Sequence, residues 1–348
     1  MTYEYEKVLT PSTGLRLHLN ENTAGCSPKV IEALRALTRT DVGFYPDYDA
    51  VISACAGRLG VATEQLVLTN GLDEGILAIT VEALRVRGTI VPDAIVVVPA
   101  FDMYAATAAG AGARVVEVPL GPDFAFPADR ILAAIGPDTR LLFLTSPNNP
   151  TGLSIPKADI ARIARAAPHV RVLVDEAYAD FANTTLIGDP DVGALPNVFI
   201  GRTFAKAYGL AGVRAGAIIG QAKALVPLRH IVPPFSLNIC ATVALTAGLA
   251  DLVYYDWYLE QARMSKTLLY SALDKAGVRY WPSDANFVLA AFGDRAGAVV
   301  KGLAARGIHV RDKSRDPACP GCLRITTGVV EHTQACIRAL EEVLCGEE

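Results

Sequence analysis

From about residue 66 to 220 short apolar runs rich in β-branched residues keep returning, each closed by a turn or a polar residue. They are AIVVVP (94–99), RVVEVPL (114–120), RLLFLTSP (140–147), VRVLVDEAY (170–178), NVFIGRTF (197–204) and AGAIIG (215–220). Their apolar residues are continuous rather than alternating, the pattern of strands buried on both faces. Helical patterns separate them, at 72–87 after the turn TNG and at 156–167, where Pro156 suits a first-turn position. The fold class this dictates is α/β with a mostly parallel central sheet.

Past residue 250 the pattern changes. A long helix is predicted over 256–277, followed by β-like ANFVLAAF, IHVRD and CLRITTG, a helical DRAGAVVKGLAARG between the first two, and a closing helix through VEHTQACIRALEEVL. We read 43–250 as a large domain and 251–348 as a smaller α+β domain with the long linking helix. Residues 1–42 form an amino-terminal arm and part of the small domain.

A chain of 348 residues that is 51% hydrophobic can bury such a core without staples. With 20% charged residues and a net charge of -4, it offers no electrostatic attraction for nucleic acid or an anionic membrane, so a small metabolite is the expected partner. The seven cysteines are odd in number and scattered, as in a reducing compartment. Cys319 and Cys322 spell C-x-x-C, but no second pair supplies the four ligands zinc needs, and a plain loop is expected. The start MTYEYEKVL has neither a basic stretch nor an apolar one, and no window reaches 18 unbroken apolar residues, so the expectation is a soluble, cytoplasmic protein.

Open α/β sheets bind ligands at the carboxyl ends of their strands. The residues found there are TNGLDEG (69–75), TSPNNPTG (145–152), DEAY (175–178) and RTFAK (202–206). A glycine turn opening a helix presents free N–H groups suited to a phosphate. Asp175, at the end of a buried strand, calls for a cation or strong donor, unless it and Glu176 merely cap a helix. Lys206 lies in an apolar stretch where a lysine is either a snorkelling surface residue or a desolvated, nucleophilic amine. One molecule answers all three features: pyridoxal 5'-phosphate, with an aldehyde for the lysine, a ring N–H⁺ for the carboxylate and a phosphate for the helix.

The ordered motifs LHLNEN, SPNNPTG, DEAY, KAYGLAGVR and CLRITTG resemble those of fold-type-I pyridoxal-phosphate enzymes, the aspartate aminotransferase superfamily of class I/II, and most closely the histidinol-phosphate aminotransferase branch. The resemblance runs over nearly the whole chain. It implies Lys206 as the Schiff-base lysine and proton shuttle, Asp175 as partner of the ring nitrogen, and Asn149 and Tyr178 as partners of the phenolic oxygen. Gly71, Leu72, Asp73, Thr203 and Arg214 would hold the phosphate, and Phe101 would stack on the ring. Tyr45 would reach the cofactor of a neighbouring subunit, which implies a homodimer with shared active sites. Arg324 would grip the substrate carboxylate, Arg311 a second anion, with Asn20 and Asn149 also at the substrate.

Two positions depart from that branch. Ala205 stands where a serine usually bonds the phosphate, and the arm LTPSTGLRLHLNEN is short, with Ser12 near the place of an aromatic residue. The activity implied is transfer of an amino group between histidinol phosphate or an aromatic amino acid and 2-oxoglutarate or glutamate. The alternatives are a decarboxylase or cyclase on the same scaffold, similar to threonine-phosphate decarboxylases, and a regulator that binds the cofactor without catalysis. No metal is expected.

Overall fold

Two sheets organise the chain in a computed structural model that describes residues 11, 13–85 and 90–346. Among the described residues twelve strands run in order β1 (Leu15–Leu17), β2 (Leu66–Asn70), β3 (Asp93–Val98), β4 (Arg114–Pro119), β5 (Thr139–Thr145), β6 (Arg171–Asp175), β7 (Val198–Thr203), β8 (Ala215–Ile219), β9 (Arg279–Trp281), β10 (Phe287–Ala291), β11 (Ile308–Asp312) and β12 (Cys322–Thr326). The larger sheet has seven strands in the order β2-β8-β7-β6-β5-β3-β4. The five from β4 to β7 are parallel, β8 runs antiparallel beside β7, and β2 pairs antiparallel with β8 at the edge.

The continuous apolar runs have a direct physical outcome. Ile95, Leu142, Leu144, Val172, Val174, Val198 and Ile200 enter the core on one face of the sheet. Their strand neighbours Ala94, Val96, Leu141, Phe143, Leu173 and Phe199 enter the core on the other. Because successive side chains point to opposite faces, a strand covered on both sides can carry no polar alternation. Fully burying each large apolar side chain stabilises the sheet by about 1.5–3 kcal/mol.

The smaller sheet is ordered β1-β11-β12-β10-β9. Leu17, Val288, Ala290, Leu323 and Ile325 share a core with Leu269 and Leu273 of helix Leu252–Lys275, Val299 and Leu303 of Ala296–Ala305, and Leu340 and Val343 of Val330–Cys345. Residues alternating with these on β12 and β10 face the other way. Arg324 is one of them, and it sits opposite Arg311 in the β11–β12 register.

The six runs all became strands of the large sheet. Several details differ from the sequence reading. The helix expected over 72–87 spans Gly71–Ala83, and residues 86 and 87 fall outside the described residues, as does Ser12 of the arm. Pro156 stands just before helix Lys157–Ala166, at the cap rather than inside the first turn. The long helix begins earlier, at Leu252, and ends at Lys275. LVLTN forms β2, and two three-residue strands, β1 and β9, were too short to produce a period. Among the described residues, no single helix is long and apolar enough to cross a membrane.

Candidate active site

At the carboxyl ends of β5, β6 and β7 the chain encloses a cavity of about 280 Å³. Twelve of the residues singled out above line it: Asn20, Leu72, Asp73, Phe101, Asn149, Asp175, Tyr178, Thr203, Lys206, Arg214, Arg311 and Arg324. Gly71 and Tyr45 do not. Gly71 lies against Arg214, which does line it, while Tyr45 is on the surface, 78% exposed and stacked on Phe235 at 4.2 Å.

Helix Gly71–Ala83 leaves β2 through a turn that only glycine accepts readily. Gly71 has φ +72°, and a Cβ there would meet the Arg214 guanidinium at 2.5 Å. Gly216 likewise lets β8 come against the backbone nitrogen of Leu72, 2.4 Å from where a Cβ would sit. The Gly71 N–H is already taken by the Arg214 carbonyl. Leu72 and Asp73 contribute the remaining first-turn amides, which have no partner inside the helix. Arg214 donates to the Asp73 carboxylate at 2.7 Å and is half-exposed beside these amides. Thr203 and Ala205 follow on the adjoining wall, the Thr203 hydroxyl accepting from the Ala205 N–H at 3.2 Å. Amides at a helix start, a guanidinium and a hydroxyl, with the glycines leaving space, form a cradle suited to a phosphate.

Deeper in the cavity, Asp175 is 4% exposed. Its Oδ1 accepts the Ala177 N–H at 2.8 Å, and its Oδ2 accepts the Tyr104 hydroxyl at 2.6 Å. Burial pushes its carboxyl up to about 6, against the lowering effect of the Tyr104 and Ala177 donors. A cationic group placed beside such a carboxylate would be held firmly.

Lys206 donates to the Leu19 carbonyl at 2.9 Å, and its amine lies 5.9 Å from the centre of the Tyr178 ring. Burial, and then the nearby Arg324 guanidinium, push the amine down to about 8. A larger fraction is therefore neutral near physiological pH than for an ordinary lysine, as a nucleophilic amine requires.

The small sheet supplies the opposite wall. Arg324, 7% exposed, donates to the Asn149 side-chain oxygen and, at 2.6 Å, to the His18 carbonyl. Asn20, in a left-handed conformation at φ 55°, donates to the Tyr178 hydroxyl at 3.0 Å and accepts from Thr326 at 3.0 Å. Arg311 joins Arg324 at the rim. Two guanidiniums side by side on one sheet face suit a substrate carrying anionic groups.

Behind the strand ends is a buried ion network. Arg202 contacts Glu176 at 3.3 Å and Asp180 at 2.5 Å, with each of the three side chains less than a tenth exposed. Tyr255 also donates to Asp180, at 2.8 Å. Glu176 thus belongs to this network and does not line the cavity. Cys319 and Cys322 do not line the cavity; Cys319 lies in the turn before β12, whereas Cys322, expected in a plain loop, is the first residue of that strand, and burial pushes their thiols up to about 12 and about 11.

Sequence reasoning overlooked Tyr104, Thr145, His18, Glu21 and Lys313, all of which line the cavity. Tyr104 stood three residues after Phe101 in VPAFDMY, and one helical turn carries it inward where it reads as ordinary core. Lys313, two residues after Arg311 and just past the end of β11, continues the period-2 spacing, a signal that was there to be read.

A parallel-centred α/β sheet with a buried carboxylate, a lysine of lowered pKa and a phosphate cradle on one cavity defines the pyridoxal-phosphate enzymes of fold type I. Comparison with known proteins gives the same class. The sequence profile of aminotransferase class I and II matches residues 12–341. The histidinol-phosphate aminotransferase of Oleidesulfovibrio alaskensis is 36% identical, over 95% of this chain and 88% of its own. Among solved structures, a putative histidinol-phosphate aminotransferase from Erwinia carotovora atroseptica superposes with TM-score 0.86 at 25% identity, covering 98% and 99% of the two chains. The histidinol-phosphate aminotransferase of Sinorhizobium meliloti, solved in complex with pyridoxal 5'-phosphate, superposes with TM-score 0.85 at 27% identity, covering 97% and 92%. The chain belongs to the aminotransferase class I and II family, as a fold-type-I transaminase that uses pyridoxal phosphate with an amino donor and a keto acid.

Proposed function

We propose that this transaminase moves an amino group from histidinol phosphate, or secondarily from an aromatic amino acid, to 2-oxoglutarate, with glutamate as the product. The observation that carries the reading is the shared cavity wall of Lys206, Asp175 and Arg324. The family relatives carry histidinol-phosphate aminotransferase names, which favours that donor over the decarboxylase or cyclase alternative.

In this reading the amides of Leu72 and Asp73, with Gly71 leaving room, hold the cofactor phosphate together with Thr203 and Arg214. Asp175 holds the positive charge of the ring nitrogen, Asn149 and Tyr178 bond the phenolic oxygen, and Phe101 covers the ring face. When bound, the cofactor supplies an aldehyde for an amine and a protonated ring that withdraws electrons from the substrate Cα. Lys206 is the amine that would carry it, and once free the same amine is placed to take the proton from the substrate Cα. Arg324 orients the substrate by its carboxylate or phosphate, Arg311 binds a second anionic group, and Asn20 and Asn149 complete the substrate side.

We further assign 43–250 as the large cofactor-binding domain and 251–348 as the small domain with its long linking helix, with 1–42 as an arm and part of the small domain. The exposed Tyr45 fits a homodimer in which Tyr45 of the partner subunit reaches the phosphate, and the cytoplasm is the proposed location. The test is an absorbance titration of the cofactor-loaded protein. L-Histidinol phosphate should remove the visible band and 2-oxoglutarate should restore it, with aromatic amino acids less effective. If no amino donor shifts the band, the proposed reaction is wrong.

A further inference from the structure

Asp175 does not meet the cavity as a bare carboxylate. Tyr104, on the first turn of helix Met103–Gly110, is 1% exposed and stacks on Phe143 of β5 with ring centres 5.0 Å apart. Its hydroxyl has two partners: it accepts from Thr145 Oγ1 at 2.9 Å and lies 2.6 Å from Asp175 Oδ2. A phenol carries one proton and so does the threonine hydroxyl. With Thr145 donating to Tyr104, the tyrosine proton is committed to Asp175, and the chain of donation runs one way, Thr145 to Tyr104 to Asp175.

The backbone makes this relay rigid. Thr145 and Asp175 are paired neighbours at the ends of β5 and β6, so the three groups close a triangle across one strand pair. The Ala177 N–H holds the other carboxylate oxygen at 2.8 Å. One donor on each oxygen fixes the rotation of the carboxylate, and each oxygen keeps a lone pair for a further donor from the cavity. The other charged groups acting on Asp175 are Asp73, which opposes its ionisation, and Lys206, which favours it. Phenylalanine would fill the same space against Phe143 and could not donate.

We propose that Tyr104 is a positioning residue for Asp175, its hydroxyl, aimed by Thr145, holding the carboxylate oriented and anionic to receive the ring nitrogen of the cofactor. The inference rests on the proposed role of Asp175. A hydrogen bond to a charged group is the strong kind, and losing one in a buried site alters an equilibrium by about ten- to a hundred-fold.

The experiment measures the dissociation constant of pyridoxal phosphate by absorbance titration of the cofactor-freed protein, for wild type, Tyr104→Phe, Thr145→Val, Asp175→Asn and Tyr104→Phe/Asp175→Asn. Carbon-13 NMR of labelled aspartate follows the Asp175 carboxyl in parallel. Tyr104→Phe should weaken cofactor binding about ten- to a hundred-fold and move the carboxyl titration upward. Thr145→Val, which leaves the aromatic packing alone, should do the same to a smaller extent. In the Asp175→Asn background Tyr104→Phe should add little. Equal losses in the two backgrounds, or a Tyr104→Phe variant with unchanged affinity and unchanged carboxyl titration, overturn the proposal while leaving Asp175 in its role. Asp175→Asn without any effect on affinity overturns that role and the proposal with it.

Discussion

Replacing Arg202 with methionine removes the cation from between two buried carboxylates. In the intact protein its guanidinium meets Glu176 at 3.3 Å and Asp180 at 2.5 Å, and the side-chain exposures are 9%, 3% and 7%. After the change Glu176 keeps its bonds from the Thr185 hydroxyl and the Leu186 N–H, whereas Asp180 keeps the one from Tyr255. Asp180 is therefore the less well compensated charge. Breaking a buried pair on one side costs about 3–5 kcal/mol, and burial this complete leaves little solvent to reduce it. For a chain of 348 residues, an unfolding entropy of about 2.1 cal/mol/K per residue turns that cost into a melting point lower by about 4–7 °C. Glu176 follows Asp175 and Arg202 precedes Thr203, so cofactor affinity should drop as well. Scanning calorimetry of Arg202→Met and of Arg202→Met/Glu176→Gln/Asp180→Asn provides the comparison. The triple variant should regain most of the loss, because uncharged groups of similar size need no counter-ion. A single variant melting within about 1 °C of wild type, or a triple variant no better than the single, refutes the reasoning.

Three further outcomes follow from the geometry. In the cofactor-free protein, Lys206 is held at about 8 and binds its proton less firmly than in the unfolded chain, so stability rises with pH from about 8 up to the ordinary lysine value of 10.5; Lys206→Met should flatten that rise in denaturant titrations, and an unchanged slope contradicts the burial argument. Asp175 has the opposite sign: its carboxyl lies at about 6, so stability contributed below the ordinary carboxylate range is lost as pH rises through 6, and Asp175→Asn should remove that component. Arg324→Gln should lower kcat/KM for anionic substrates by about ten- to a hundred-fold, with a smaller effect on an uncharged amine; equal losses for both point to misfolding instead.

Much of the large sheet was legible because a strand buried on both faces leaves a run that few other structures produce. Leu141 to Leu144 is the clearest instance, with each of the four side chains no more than 1% exposed. The short edge strands were not legible, since three residues such as Leu15–Leu17 cannot display a period and pair only through contacts some 290 residues away in sequence, Leu15 with Ile308. Lys206, Asp175 and Asn149 could be read because each sits just past such a run, where a polar residue is conspicuous. Tyr104 could not: in a helix a buried tyrosine looks like core, and only the fold brings its hydroxyl to Asp175. The network around Arg202 was hidden for a similar reason. Glu176 and Arg202 were each next to a motif residue, yet their pairing depends on the register that sets Asp175 opposite Gly201.

The central claim, that Lys206 carries the cofactor, is tested most directly by trapping. The protein loaded with pyridoxal phosphate is reduced with borohydride, digested and mapped by mass spectrometry. The account predicts a phosphopyridoxyl group on the peptide containing Lys206, at about one per chain, and none on Lys206→Ala. A modification on another lysine, or none in a protein that nonetheless turns over substrate, contradicts it.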